Sequence, residues 1–398
     1  MNKIILLSLI FFLALSIQTY ATDITTCSNL NISGTTYNLT ADIANYSTTI
    51  YCMNLSASNI ILDCLGHAID GIDTSDSYGI YSGLTTLTTN ITIRNCLITD
   101  WTNGIYLYNV ANGSISNITS SSSVSGIQFY YVNTTSITNS VVKSNTIYSM
   151  YLKWMLSSNI SNITTSSNGN GIHLIYSNSS IITNLSSSGD NYGMYFLSST
   201  SNNITNVFIS GNNYGIMFND ANSHILKNSI IQNNVNYGIY LTTTSNNSLI
   251  YNNLFNNTYN FIFQANNTNN SWNTTSQAGT RIYSNGNQIG GNYWTNSTSN
   301  GYSDTCTDTD ENGFCDSAYT LNVSNIDYLP LSDEYVISTC TNFLTTGEID
   351  CADNCVNTTV TVPKDLHIFS TGSGTVNLTD ITIQGGLYEN YTHSCTVY

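Results

Sequence analysis

Residues 192–216 read YGMYFLSSTSNNITNVFISGNNYGI, one full turn of a pattern that opens at Tyr192-Gly193-Met194 and opens again at Tyr214-Gly215-Ile216. The same triplet stands upstream at Tyr78-Gly79-Ile80, Asn103-Gly104-Ile105, Ser125-Gly126-Ile127 and Asn170-Gly171-Ile172, and downstream at Tyr237-Gly238-Ile239, with Ser149 and Asn260 in two glycine positions. From Gly104 onward the repeats are 22 or 23 residues apart; only the interval from Gly79, at 25, departs from that band. Within each repeat apolar residues alternate in short runs, as Ile105 with Leu107 and Ile216 with Phe218, the period-2 mark of strands with one buried face. A unit this short cannot bury its apolar face alone, so successive coils must stack, each strand pairing with its equivalent above and below. The fold expected is all-β, a right-handed parallel β-helix, with glycine where a side chain would obstruct a bend or where positive φ is needed.

A second marker keeps step with the first: Asn95, Asn117, Asn139, Asn162, Asn184, Asn206, Asn228 and Asn252. Asn117, Asn162 and Asn184 lie in Asn-X-Ser/Thr sequons while Asn139, Asn206 and Asn228 do not, so the column keeps an amide rather than a glycosylation site. It reads as a structural ladder of hydrogen-bonded amides. Off the ladder, Asn54, Asn133, Asn178 and Asn273 are candidate glycan sites.

Composition narrows the partners. Of the 398 residues only 8% are charged and 2 are proline, and 7 basic against 23 acidic residues give a net charge of -16. That balance repels nucleic acid and anionic lipid. Lys3, the apolar run 4–17 and Thr19-Tyr20-Ala21 read as a signal peptide cleaved after Ala21, and no later segment is long and apolar enough to span a bilayer. The chain is therefore expected to be secreted or at the cell surface, where its ten cysteines default to disulfides. The organisation expected is signal peptide 1–21, N-terminal cap and first coil 22–77, repeats 78–264, C-terminal cap 265–331 and a small Cys-containing β module 332–398, which also resembles the start of another helix.

The repeats resemble those of the pectin-lyase-like superfamily, in particular its NosD-like and CASH (carbohydrate-binding and sugar hydrolase) groups common in archaeal surface proteins. Asn59-Ile-Ile-Leu-Asp-Cys-Leu-Gly-His67-Ala-Ile-Asp-Gly71 and Ile91-Thr-Ile-Arg-Asn-Cys96 are similar to the opening coils of that group. Trp272-Asn-Thr-Thr275, Gly290-Gly-Asn-Tyr-Trp294 and Asp327-Tyr-Leu-Pro-Leu331 resemble the segment that follows such helices. The resemblance covers about Cys27 to Leu331 and implies a fold, with carbohydrate as the expected partner, rather than one activity. The NosD name also implies copper delivery, but copper asks for clustered His, Met and Cys. Met150, Met194 and Met217 fall in or beside the glycine motif and the five His are scattered, so no copper is expected.

Three groups of residues carry candidate chemistry. Between Ser77 and Asn260 the only acids are Asp100, Asp190 and Asp220, in different columns, so a catalytic carboxylate pair is not evident there. The one place where acids, a His and an Arg approach in sequence is His67, Asp70, Asp73, Asp76, Arg94 and Asp100, the candidate site for a polysaccharide lyase, hydrolase or epimerase. Two residues after each glycine position stand Tyr81, Tyr106, Gln128, Tyr151, His173, Tyr195, Met217 and Tyr240, with Tyr108 and Tyr130 two further on, and alternation turns this column outward. Such a stripe offers sugar rings a stacking surface and phenol hydroxyls, or serves only as cross-coil packing. Asp308, Asp310 and Asn312 at alternate positions, then Gly313, the Phe314 carbonyl and Asp316, have the oxygen spacing of a calcium loop; Tyr319 rather than Glu at position 12 argues against an EF-hand and for a short secreted calcium-stabilised loop.

Cys27 with Cys52, Cys64 with Cys96 and Cys306 with Cys315 are the expected bridges; Cys340, Cys351, Cys355 and Cys395 allow three pairings, or zinc. The expected function is non-catalytic binding of a polysaccharide or cell-surface glycan along the helix face. A polysaccharide-active enzyme and a structural spacer or adhesin rod are the alternatives.

Overall fold

The computed structural model describes residues 20–333, apart from 48–49, 265–266, 284–285 and 311, and beyond them strand backbone between 338 and 397. The signal-peptide reading, except for Tyr20 and Ala21, lies outside the described residues, as do Cys340, Cys351 and the side chains of Cys355 and Cys395. Tyr20 and Ala21 open the first strand, Tyr20–Ile24, so cleavage after Ala21 leaves only its last three residues.

The chain divides into two compact units: Met1–Ile225 with Ile231–Ser248 and Phe261–Thr268, and Leu226–Ile230 with Leu249–Asn260 and Asn269–Tyr398. The first unit is a parallel β-helix of about 11 turns. One of its sheets is a stack of eleven rungs that starts at Ser28–Leu30, Tyr51–Leu55, Tyr78–Ser82 and Asn103–Ala111 and ends at Tyr214–Asn219, Tyr237–Thr242 and Phe261–Phe263. All pairs are parallel and in register with the sequence repeat: Asn103 pairs with Ser125, Ser125 with Tyr148, Ile172 with Met194 and Tyr214 with Tyr237. The stack begins upstream of the first Tyr-Gly-Ile triplet, because Met53 already pairs with Ile80 and Ser28 with Met53.

Stacking identical positions produces a core of columns. Ile80, Ile105, Ile127, Met150, Ile172, Met194, Ile216 and Ile239 are all fully buried, and so are Ile93, Ile115, Ile137, Ile160, Ile182 and Ile204 in the facing sheet. Each such side chain contributes about 1.5–3 kcal/mol by leaving water. The glycine column is explained by obstruction, not by positive φ. A Cβ on Gly104 would meet the Gly126 carbonyl and the Ser120 hydroxyl, and one on Gly171, Gly193 or Gly215 would meet the carbonyl of the next glycine position. Disulfides Cys27–Cys52 and Cys64–Cys96 tie adjacent coils at the N-terminal end.

The second unit pairs Leu254–Asn256 with Tyr293–Thr295 in parallel and adds two antiparallel pairs, Gln277–Ala278 with Gln288–Ile289 and Tyr319–Asn322 with Asn325–Asp327. Leu254, Tyr293, Phe314 and Leu331 form its core, and Phe255 stacks on Trp294. Towards the C-terminus Ser338–Thr339, Cys355–Thr358, Gly374–Thr379 and Cys395–Val397 form one parallel ladder and Glu348–Asp350, Leu366–Phe369 and Leu387–Asn390 another. Coil-like parallel pairing resumes there.

Candidate functional site

The acidic group near the start of the helix separates into pairs. Arg94 Nε donates to Asp63 Oδ2 at 2.7 Å, and His67 Nδ1 lies 2.9 Å from Asp42 Oδ1. Burial acts against ionisation of Asp63, yet the Asn95 amide, the Leu65 N–H and Arg94 together hold its carboxyl below the usual range. Arg94 Nε and His67 Nδ1 are thus each engaged by a carboxylate, Asp63 and Asp42, that the sequence reading did not count in the cluster. Asp70 accepts the Asn45 N–H, and Asp76 is exposed. What remains together is Asp70, Asp73 and Asp100. Burial raises the Asp100 carboxyl, the Thr99 hydroxyl opposes this, and the charges of Asp73 and Asp70, with a hydrogen bond shared with Asp70, raise it further.

On the outer face of the eleven-rung sheet, the predicted column faces outward but forms a packed band rather than an open stripe. Tyr81, Tyr106, Tyr108, Gln128, Tyr130, Tyr151, Tyr195, Met217 and Tyr240 are half-buried and His173 is only 6% exposed. The covering comes from a second column: Tyr51, Tyr78, Tyr148, Tyr192, Tyr214 and Tyr237. Tyr78 lies edge-on to Tyr106 at 5.2 Å, Tyr148 edge-on to His173 at 4.9 Å, and Tyr192 stacks on Tyr214 at 5.1 Å. The signal was in the repeat itself, since most of these rings are the residue just before the glycine position. Burial and neighbouring phenols push Tyr106 and Tyr151 up to about 12, so their hydroxyls stay protonated donors. Burial drives His173 down to about 3, leaving a neutral imidazole whose Nε2 has no partner.

A ridge that the sequence reading missed borders this band. Tyr131, Trp154 and Tyr176 occupy one turn position, each with positive φ (55, 55 and 51°). Bulky side chains rarely adopt this region. Tyr131 stacks on Trp154 at 4.4 Å and Trp154 on Tyr176 at 5.9 Å, with Tyr131 and Tyr176 42% and 46% exposed. The Lys153 ammonium sits 4.1 Å from the Trp154 ring centre, and Tyr130 joins band to ridge at 6.3 Å from Trp154.

In the second unit Cys306–Cys315 closes the acidic loop. One carboxylate oxygen each of Asp308, Asp310 and Asp316 lies within 4.8 Å of the others, and this is the one such group among the described residues. Asp308 accepts the Asn312 and Gly313 N–H groups, while Asn312 gives its amide to Asp310 Oδ2 and takes the Phe314 N–H on its own Oδ1. Asn312 is therefore engaged in shaping the loop. Burial and the nearby Asp310 raise the Asp308 carboxyl against the pull of those N–H groups, whereas Thr309 and Thr307 hold Asp316 down.

The Asn column from Asn95 to Asn252 lies at turns where all eight residues have φ between 50 and 58°. Amide contacts run along it: Asn117 to Asn95 at 3.1 Å, Asn162 to Asn139 at 2.9 Å, Asn184 to Asn162 at 3.1 Å and Asn252 to Asn228 at 2.8 Å. Asn117, Asn139, Asn162, Asn184 and Asn206 are exposed, so this ladder is outside the core.

The NosD family, described as "Periplasmic copper-binding protein (NosD)", matches residues 85–299, more than half of the chain. The chain belongs to the NosD family. No curated protein matches its sequence. Among solved structures, NosD-family coils here are similar to the Azotobacter vinelandii mannuronan C-5 epimerase AlgE6 A-module, with 14% identity and a TM-score of 0.49 over 63% of this chain and 81% of that one. DFA-IIIase from Arthrobacter chlorophenolicus A6 in complex with GF2 follows at 9% and 0.48, over 63% and 80%. The Dettilon tailspike protein shows 12% and 0.42, over 64% of this chain and 57% of that one.

The donors in this chain do not fit the copper of the family description. Met53, Met150, Met155 and Met194 are buried in the core, and the six cysteines whose side chains are described are in disulfides. His224 is buried against Phe196 and Phe218. Soft ligands do not converge among the described residues. No helix among them is long and apolar enough to cross a membrane.

Proposed function

We propose that this NosD-family chain is a secreted or cell-surface protein that binds carbohydrate, or another hydroxyl-rich surface polymer, along the outer face of its β-helix without altering it. The observation that carries this reading is the continuous aromatic surface made by the tyrosine band and the Tyr131–Trp154–Tyr176 ridge, with its protonated phenols. Rings bury apolar sugar faces and hydroxyls match sugar hydroxyls. The rings of the band lean on one another, so it offers edges and hydroxyls while the ridge offers the more open surface. Disulfides support a compartment outside the reducing cytoplasm.

Affinity electrophoresis in gels containing neutral polysaccharides tests the surface. The variant with Tyr131→Ala, Trp154→Ala and Tyr176→Ala is expected to lose retardation while melting cooperatively; unchanged retardation removes the ridge from the account. The polysaccharide lyase, hydrolase or epimerase alternative rests on Asp100, a carboxyl raised beside Asp70 and Asp73. The spacer or adhesin rod needs neither surface.

Calcium at Asp308, Asp310 and Asp316 is the second part of the proposal, because three carboxylates on a disulfide-closed loop suit a hard oxygen-seeking cation. For a site of extracellular strength, 10 mM calcium is expected to add about 1–3 kcal/mol of stability. Asp310→Asn should abolish that gain, and a melting temperature indifferent to calcium and to chelator in the parent chain contradicts the site.

A further inference from the structure

The second unit holds a cleft of about 330 Å3 lined by Asn270, Ser271, Asn273, Ser324, Ile326 and Tyr328, with Val323 at its mouth. One wall is the segment around Trp272, and the other is the tip and return strand of the hairpin Tyr319–Asn322 with Asn325–Asp327. Two hydrogen bonds fix the walls: the Tyr328 N–H donates to Asn273 Oδ1 at 3.2 Å, and Trp272 Nε1 donates to Asn325 Oδ1 at 3.0 Å. The hairpin tip is held by Asn322 Oδ1, which accepts the Ser324 N–H at 2.8 Å. The cleft is thus preformed rather than a gap in a loose loop.

Three features set it apart from the tyrosine band. The Tyr328 ring is 64% exposed and stacks on no other ring, and Val323 beside it is 93% exposed. The hydroxyls of Ser271, Ser324 and Tyr328 make no hydrogen bond within the protein. No charged side chain lines the space. An open aromatic face, a small apolar patch and unspent hydroxyls without charge match the two-sided chemistry of a pyranose, with C–H groups on one side and hydroxyls around the rim. The volume suits one or two sugar units. We propose that this cleft is a subsite for a neutral sugar residue, with Tyr328 as its stacking platform and Ser271, Ser324 and Asn273 as its polar contacts. This rests on the carbohydrate-binding reading and adds to it a discrete site and a preference for uncharged sugars.

The test is saturation-transfer NMR on the purified full chain with the methyl glycosides of glucose, galactose, mannose and N-acetylglucosamine, run beside retention on neutral polysaccharides. At least one glycoside is expected to show transfer, with affinity weakened on the order of tenfold by Tyr328→Ala. Val323→Asp, at a position too exposed to matter for folding, should weaken it as well, and Tyr259→Ala, an exposed tyrosine elsewhere, should not. Polymer retention without glycoside transfer, or transfer indifferent to both cleft variants, overturns the cleft and leaves the binding reading standing. Absence of polymer retention in the parent chain removes that reading and the cleft with it.

Discussion

Two columns of asparagine rise through the first unit at nearly the same spacing and do different work. The outer one, Asn117 to Asn206, sits at exposed turns with positive φ. The inner one, Asn145, Asn168, Asp190, Asn212 and Asn234, is buried. Inside, each backbone N–H donates to the side-chain oxygen one coil on: Asn145 to Asn168 at 3.0 Å, Asn168 to Asp190 at 2.8 Å, Asp190 to Asn212 at 2.9 Å and Asn212 to Asn234 at 3.1 Å. The amides of Asn168, Asn212 and Asn234 also return to the carbonyls of Val142, Ser187 and Ile209. Where the column carries Asp190 no amide hydrogen is available, and the hydroxyls of Thr165 and Ser187 turn towards its carboxylate instead. The outer column is selected mainly for a backbone conformation and the inner one for satisfying buried polar groups. One residue type at one period can therefore answer to two physical demands.

The largest effect expected from this contrast is inside. Asn212→Leu strands the Asp190 N–H and the Ser187 carbonyl away from water, and each orphaned group costs about 1–3 kcal/mol. A loss of about 3–5 kcal/mol in urea unfolding is expected; a loss below that of an outer-column substitution would erase the distinction.

Acid should find the same weakness. A neighbouring inner column runs Thr135, Ser158, Ser180, Asn202, His224 and Ser248, and there His224 Nδ1 accepts the Asn202 N–H at 3.1 Å. Burial pushes His224 down to about 4 and His173 to about 3. A histidine with a depressed folded pKa contributes stability that is complete above its unfolded value near 6.5, and that stability is lost as pH falls towards the folded value. Between pH 6.5 and 4 each histidine should add a slope of up to about 1.4 kcal/mol per pH unit. His224→Gln keeps an acceptor for the Asn202 N–H and should flatten the profile; an unchanged slope would show that the imidazole is already charged in the fold.

On the outside the effect is smaller and of another kind. Asn162→Ala forces a Cβ residue without a capping amide into the left-handed region, at about 1–2 kcal/mol. Asn162→Gly should cost only a few tenths, because glycine meets the backbone demand even though it loses the bond to Asn139. Equal losses for the two would make the amide ladder, rather than φ, the reason for the column.

These columns also show where sequence reading stopped. The 22-residue period, the parallel register, the Ile core columns and the three described disulfides were legible, because apolar alternation and cysteine spacing report directly on burial and proximity. The inner Asn column was not legible as buried. It is polar and stands in runs such as Asn212-Asn213, where one neighbour faces in and the other out, so hydropathy has no contrast to use. The site was half legible. The outward tyrosine column could be placed, but its packing could not, since Tyr78, Tyr148 and Tyr192 cover it from a position read only as part of the glycine motif. Ion pairs crossed coils in a way spacing did not show, and Arg94 and His67 went to Asp63 and Asp42.

The central claim is that the first unit presents a binding surface and not a catalytic one. Its most direct test is incubation of the purified chain with neutral and acidic polysaccharides in calcium, scoring retention on the polymer together with release of shortened or unsaturated products. Retention without product is the result predicted. Product release that disappears with Asp70→Asn or Asp100→Asn would contradict the account and make the chain an enzyme, and absence of retention would leave a structural rod.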